Sequence, residues 1–194
     1  MIGLPTSLDV NGTAYNIRTD YRVILDIISA FNDHFSDVPN IDEQCKANVC
    51  MDILYEDFES IPQEDYEEAY RQALWFLDCG KDYSNDNKPL PKLMDWEQDE
   101  PILFPAINRV AGKEVRLVEY MHWWTFMGAY MEIGECLYSN VINIRQKLSK
   151  GKKLEKYEQE FYKDNRSMVD LKEQLTPEEE ADKAALEEVL KKFI

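Results

Sequence analysis

The chain has 194 residues, of which 44% are hydrophobic and 31% are charged. This composition supports one folded domain, or one domain with an appendage, and excludes global disorder. The net charge is −16, and residues 1–100 hold most of it, with 22 acidic against 7 basic side chains. Such a surface repels phosphate groups, so nucleic acid and anionic membranes are not expected as partners. A basic protein partner, or simply solubility, fits the charge better.

Two short segments near the N-terminus predict a β-hairpin within residues 1–18. Residues 7–10 and 13–17 flank Asn11-Gly12, and both of these turn residues tolerate a positive φ. Two strands alone are marginally stable in water, so we expect the hairpin to pack against helices.

The compartment is predicted from the N-terminus and the cysteines. Residues 1–12 lack the basic and apolar regions of a signal peptide. The four cysteines match no zinc or redox spacing, and the chain is not dense in cysteine like a disulfide scaffold. We therefore expect free thiols and a cytoplasmic protein. The cysteines are Cys45, Cys50, Cys79 and Cys136.

From about residue 20 the apolar side chains recur every three or four positions, which predicts helices. The first stripe runs from Tyr21 to Phe35, and Pro39 is expected to end that segment. A later helix is predicted after the start signal in residues 60–63, with Gly80 as its stop.

The helix between these two has its own start signal. Asn40 is the predicted N-cap, and Glu43 stands three residues later in the position of a capping box. The expected inner face of this helix consists of Ile41, Cys45, Val49 and Ile53.

The middle of the chain contains a long polar segment. Residues 81–96 are rich in Ser, Asn and Asp and include two prolines, which predicts a loop. Residues 97–111 are expected to form a helix that Pro105 kinks or splits.

Residues 119–136, EYMHWWTFMGAYMEIGEC, are the most apolar part of the chain. Between Tyr120 and Met131 only His122 and Thr125 are clearly polar. A helix that is apolar all round is buried on all sides or crosses a membrane, and this run is shorter than the roughly 20 residues of a membrane span. We predict a mainly α-helical bundle around this central Trp-rich helix. Its core signature consists of His122, Trp123, Trp124 and Phe126.

The last third of the chain predicts further helices of changing character. Apolar residues from Leu137 to Leu148 follow a helical period, and the basic residues 150–153 break it. We take residues 1–148 as the helical core domain, including the hairpin, and residues 149–194 as a charged helical extension. Thr176-Pro177-Glu178-Glu179 starts the final helix with an N-cap, a proline at N1 and a glutamate at N3.

No constellation of residues in the sequence indicates catalysis. His122 with Glu132 and Glu135 lacks the Glu-x-x-His pairs of a metal site in a helical bundle, so a hydrogen-bonded core histidine is the better interpretation. Residues 82–93 begin like a calcium loop but lack its glycine and its final glutamate. No phosphate-binding loop and no nucleophile elbow is present. We expect no enzyme, no cofactor and no metal.

Eight carboxylates follow one another between Asp52 and Glu68 with no basic residue between them. A solvated surface is the simpler interpretation of this acidic belt, and an electrostatic dock for a basic partner is the alternative. Its members are Asp52, Glu56, Asp57, Glu59, Glu64, Asp65, Glu67 and Glu68.

Three motifs in a fixed order carry a resemblance to a known family. They are Glu97-Gln98-Asp99 with residues 102–104 behind it, the HWWTF of residues 122–126, and Val141-Ile142-Asn143-Ile144-Arg145. With these motifs the chain resembles the tail-module proteins of siphophages, the long-tailed phages and prophages of Gram-positive bacteria. The resemblance is strongest from residue 74 to residue 154. Genes of that family lie between the major tail protein and the tape measure, the position usually assigned to tail assembly chaperones.

The resemblance implies an all-α protein that assists tail assembly and is not an enzyme. It would bind the tape measure protein, the major tail protein or both, and it could self-associate. It would act in the cytoplasm of the infected bacterial host and be absent from the mature virion. A structural component of the virion, such as a tail or connector protein, is the alternative. The candidate partner-binding residues form a narrow apolar stripe on the final helix: Leu186, Val189, Leu190 and Phe193.

Overall fold

A computed structural model of the chain describes residues 3–33, 35–36, 38–81 and 91–172. The fold is mainly α-helical with a small N-terminal hairpin, as predicted. The two strands are β1 (Ser7–Val10) and β2 (Thr13–Asn16). The helices of the described part are α1 (Tyr21–Ala30), α2 (Pro39–Leu54), α3 (Tyr66–Leu77), α4 (Glu100–Ala111), α5 (Trp123–Met131), α6 (Leu137–Ser149), α7 (Lys156–Asp164) and α8 (Arg166–Val169).

The hairpin has the predicted turn and packs on α3. β1 and β2 pair antiparallel, and Asn11 and Gly12 adopt φ values of 50° and 88°. Leu8 and Val10 are buried and alternate with exposed residues, as one buried face of a strand requires. The Asn11 side-chain amide also donates to the Asp65 carboxylate at 2.6 Å, so the turn is held beside the start of α3.

Helix α1 lies at the centre of the packing and contacts both α2 and α5. Asp20 caps it by accepting the backbone N–H of Arg22 at 3.0 Å. Its buried stripe is formed by Tyr21, Ile24 and Ile27. The helix ends at Ala30, before the predicted limit near residue 35.

The predicted start of α2 is wrong, and of its predicted inner face only Ile53 packs, partly buried, against the core. Pro39 does not end the preceding segment but begins α2, where its fixed φ suits the first helical position. The buried side chains of α2 are Cys50, Met51 and Leu54, all in its last turns, whereas Ile41 is 48% exposed. The first turns of α2 therefore extend beyond the core.

Helix α4 continues through Pro105, so the expected split does not occur. It begins at Glu100, and residues 97–99 form a turn before it. Gly112 ends the helix in the left-handed conformation with φ 68°. Leu103 and Ile107 are fully buried in the core.

The Trp-rich helix α5 packs against α1 and α4, with Trp123 and Phe126 buried. The expectation that it is buried on all sides is wrong, because Thr125, Gly128 and Met131 are exposed. These three positions are spaced by three residues and lie on one face of the helix. Gly and Met count as apolar in a hydropathy pattern, so the exposed face is not visible in the sequence.

Helices α6, α7 and α8 form a second, smaller cluster beside the main core. The buried apolar residues of this cluster are Val141, Ile144, Leu154 and Val169, and Phe161 and Tyr162 of α7 pack against them. Residues 154–172 thus lie against α6, and α6 in turn contacts α4. The predicted final helix and its start signal at Thr176 lie outside the described residues.

Candidate functional site

His122 stands directly before α5 and joins it to the N-terminal segment. Its Nδ1 accepts the backbone N–H of Trp124 at 3.0 Å, so the imidazole serves as the N-cap of α5. Its Nε2 then donates to the carbonyl of Pro5 at 2.9 Å. The ring is buried and packs edge-on against Phe76. This is the hydrogen-bonded core histidine that the sequence favoured over a metal ligand.

Both tryptophans of the signature use their indole N–H groups on the end of α3. Trp123 Nε1 donates to the carbonyl of Leu77 at 2.8 Å, and Trp124 Nε1 donates to that of Phe76 at 2.9 Å. The last carbonyls of a helix have no partner within the helix, so these two bonds cap α3 from outside. Gly80 completes the joint, because at φ 80° an added Cβ would lie 3.1 Å from the Trp124 ring.

Phe126 is the centre of an aromatic cluster that spans three helices. Its ring is stacked on Tyr21 of α1 at 4.3 Å between centroids, and it also meets Phe104 of α4 at 6.0 Å. Trp96 lies 6.3 Å away on the segment that leads into α4. Offset and edge contacts of this kind contribute beyond their buried area. The HWWTF motif therefore joins α1, α3, α4 and α5.

The other two motifs of the resemblance meet in one buried ion pair. Arg145 Nη1 and Nη2 donate to the two oxygens of Asp99 at 2.6 and 2.8 Å, and the side chains are 4% and 1% exposed. The remaining N–H groups of Arg145 donate to the carbonyls of Leu93, Met168 and Val169. All five donors of the guanidinium are thus satisfied, as a buried arginine requires.

Gln98 extends this junction to the end of the described chain. Its side-chain amide donates to the carbonyl of Asp170 at 2.8 Å, and its Oε1 accepts the backbone N–H of Lys172 at 2.8 Å. Residues 168–172 are therefore held on the body by Gln98 together with Arg145. The pairing of Asp99 with Arg145 was not predicted. A signal was present, because Arg145 stands four residues after Val141 on an apolar stripe, and a cation buried there needs a partner.

A second ionic contact fixes α7 on α6. Lys147 Nζ lies 2.7 and 2.8 Å from the two oxygens of Glu158, whose side chain is inaccessible to solvent. The Lys147 ammonium, helped by the backbone N–H of Glu155, holds the pKa of the Glu158 carboxyl below its usual value. Asn143 also donates to Glu158 at 3.0 Å.

The acidic belt contains a basic residue that the sequence did not reveal. Arg18 reaches it from the end of the hairpin and donates to the carbonyls of Asp52, Ile53 and Tyr55. Arg18 therefore caps the end of α2 and lines the same shallow pocket as Asp57 and Glu59. This pocket is mainly polar and lacks an aliphatic floor.

A different groove combines apolar and acidic side chains. It has a volume of about 270 Å³ and lies between α1 and the segment that leads into α4. Its apolar lining consists of Leu25, Ile28, Trp96 and Phe104. Its acidic lining consists of Asp26, Asp95, Glu97 and Glu100. We call it the α1–α4 groove.

The remaining sequence candidates have no counterpart in the described residues. No group of three or more His, Cys, Asp or Glu side chains there is arranged to hold a metal ion. Residues 82–90 of the calcium-like loop lie outside the described part, and so does the candidate stripe of Leu186, Val189, Leu190 and Phe193. No helix within the described ranges is long and apolar enough to cross a membrane.

The fold and these contacts define a mainly α-helical protein whose signature side chains join its helices to one another. The family model of the bacteriophage Gp15 protein matches residues 2–171, and the chain belongs to that family. It is therefore a bacteriophage protein of the structural or assembly type, and nothing positive indicates catalysis. Neither the curated proteins nor the solved structures contain a match to this chain.

Proposed function

We propose that this protein is a phage tail assembly chaperone that binds the tape measure protein, the major tail protein or both without catalysis. Membership of the bacteriophage family supports a role in structure or assembly. The net charge of −16 supports a chaperone in particular, because a protein that binds apolar helices must itself stay in solution.

The observation that carries the proposal is the junction at Gln98. It holds Asp170 and Lys172 on the body, so the 22 residues from 173 to 194 start from a fixed point. The apolar stripe of Leu186, Val189, Leu190 and Phe193 lies in this last segment. An apolar stripe on a segment that begins at such an attachment point, in an acidic protein, fits the capture of an amphipathic segment of a tail protein.

A pull-down with the tape measure protein tests the proposed binding surface. Deletion of residues 176–194, and separately the full-length Leu190→Ser/Phe193→Ser variant, should weaken tape-measure binding at least tenfold. The far-ultraviolet circular dichroism of the body should remain. The control is Tyr157→Ser, which alters another exposed apolar residue (63% exposed) on α7. Unchanged binding in the two stripe variants would refute the assignment of this surface.

The proposed place of action is the cytoplasm of the infected host, with the protein absent from mature particles. Quantitative mass spectrometry of purified virions beside the infected-cell lysate tests this. Abundance in the lysate and absence from particles is the expected result. A fixed copy number in particles would instead identify a structural component of the virion, such as a tail or connector protein.

A further inference from the structure

We propose that the α1–α4 groove binds a basic amphipathic helix of a partner protein. The inference rests on the proposed function only for the identity of that partner, which would be a tail protein. The groove itself is defined by contacts within the described residues.

The apolar floor supplies the anchoring part of the site. Leu25 and Ile28 are three residues apart on α1 and only partly buried, so they form the open edge of its apolar stripe. Trp96 and Phe104 close the floor from the other side. A volume of about 270 Å³ accepts two or three aliphatic side chains, which is the number a docked helix presents at helical spacing.

The carboxylates around the floor select the charge of the occupant. Four acidic and no basic side chains line the groove. Asp95 is paired with Lys92 at 2.9 Å, and Glu100 is paired with Arg116 at 3.3 Å. Asp26 and Glu97 form no ion pair within the described part of the chain, and both are exposed.

Two carboxylates beside an apolar floor therefore lack a cation. Lysine or arginine residues flanking the apolar anchors of a helix would supply one to each. Complementary charge of this kind accelerates association and sets the orientation of the bound segment.

Charge also argues against two other possible occupants of the groove, a second copy of this chain and the chain's own last segment. A second copy of this chain brings a net charge of −16 to an acidic groove. The chain's own residues 173–194 carry 7 acidic against 3 basic side chains, although they start from Lys172, which is bound to Gln98 beside the groove. A basic partner meets neither repulsion.

The test is a titration of the full-length protein with synthetic helical peptides at low salt. One peptide has a leucine stripe flanked by lysines, the second has glutamates in place of the lysines, and the third has the first composition in scrambled order. The readout is the indole N–H resonance of Trp96, assigned with Trp96→Phe. The leucine–lysine peptide should shift this resonance and bind at least tenfold more tightly than the other two.

The matched protein variants carry the same change in charge at two places. Asp26→Asn/Glu97→Gln should weaken peptide binding at least tenfold. Asp57→Asn/Glu59→Gln in the acidic belt should change it less than twofold, because that pocket has no aliphatic floor. Equal losses in both variants would mean non-specific attraction to an acidic surface and would overturn the inference, as would no shift of the Trp96 resonance.

Two further results would assign the groove to another occupant and overturn the partner proposed here. The first is a Trp96 resonance that depends on protein concentration without peptide, which identifies a second copy. The second is found in full-length Leu190→Ser/Phe193→Ser. If its Trp96 resonance without peptide differs from that of the wild type, and it binds the peptide more tightly than the wild type does, the chain's own last segment is the occupant.

The groove and the proposed function can fail separately. If the peptide binds at the groove and the tape measure and major tail proteins do not bind the chain at all, the groove stands and the chaperone assignment fails. If the tape measure and the leucine–lysine peptide each bind the wild type and Asp26→Asn/Glu97→Gln with equal affinity, the groove is not the binding site. The chaperone assignment then stands.

Discussion

Asp99 and Arg145 are buried together, and removing either side chain leaves the other charge without its partner. We expect Asp99→Asn and Arg145→Met each to lower the free energy of unfolding by about 3–5 kcal/mol. The double variant should lose less than the sum of the two, because no unpaired charge remains in it. Urea denaturation followed by circular dichroism measures all three.

The control for this pair is an exposed salt bridge on α3. Arg71 and Glu68 are 2.6 Å apart, and the arginine side chain is 69% exposed. Arg71→Ala should therefore change the free energy of unfolding by less than about 1 kcal/mol. A loss of that small size for Asp99→Asn would contradict the role assigned to the buried pair.

His122 combines two functions that can be separated by substitution. His122→Ala removes both the N-cap of α5 and the donor to the Pro5 carbonyl, and we expect a loss of roughly 2–4 kcal/mol. Asn is a good N-cap but is too short to reach Pro5, so His122→Asn should restore about 1 kcal/mol of that loss. Thermal unfolding compares the two variants. Equal stability would show that the cap at Trp124 contributes nothing.

The attachment of α7 to α6 should depend on pH through Glu158. Its pKa is lowered in the folded state by Lys147, so the carboxylate contributes stability that is complete above its ordinary pKa of 4.5. This contribution is lost as the pH falls from there through the lowered pKa. Between pH 7 and pH 3.5 the wild type should therefore lose more stability than Glu158→Gln. Lys147→Met is the matched partner variant, and identical pH profiles for wild type and Glu158→Gln would refute the linkage.

At the scale of the elements, local signals in the sequence predicted the hairpin and the α-helical class. Asn11-Gly12 and the alternation of Leu8 and Val10 are short-range signals, and the structure follows them. The inner face of α2 was largely predicted wrongly, because burial depends on which other elements pack against the helix. The spacing of apolar residues along one helix does not carry that information. Ile41 belongs to the predicted stripe yet is 48% exposed, whereas Cys50, nine residues later and on the opposite side of the helix, is fully buried.

The features of the candidate site likewise divide into those that local sequence signals predicted and those that depend on tertiary packing. The sequence identified His122 as a core histidine, since two histidines and no metal spacing left little else. It did not predict that Asp99 meets Arg145, because 46 residues separate them and only the packing of α4 on α6 brings them together. The α1–α4 groove was missed for the same reason: its two walls come from distant parts of the chain.

At the scale of the whole molecule, the three motifs form one system of internal joints. The HWWTF residues connect α1, α3, α4 and α5, while Asp99, Gln98 and Arg145 connect α4 and α6 to residues 168–172. Side chains that make these joints are unavailable to a partner. Recognition of the proposed partner would therefore use side chains other than those of Gln98, Asp99, Arg145 and the HWWTF residues. On the described surface the α1–α4 groove, which includes Glu97 and Phe104 of the first motif, combines apolar area with carboxylates that form no ion pair.

The net charge of the molecule makes its stability depend on salt in a predictable direction. Residues 1–100 hold 22 acidic against 7 basic side chains, so like charges repel across the folded surface. Raising NaCl from about 10 mM to 150 mM shortens the Debye length from about 30 Å to 8 Å and screens this repulsion. The buried Asp99–Arg145 pair is screened much less.

If the relief of repulsion amounts to about 1 kcal/mol, the melting temperature should rise by about 2–4 °C. Differential scanning calorimetry at the two salt concentrations measures the change. Asp57→Asn/Glu59→Gln should raise the melting temperature at 10 mM NaCl and reduce the gain on adding salt, because part of the repulsion is already removed. A melting temperature that falls with salt would mean instead that exposed ion pairs outweigh the repulsion, and the net charge would then not be a stability cost.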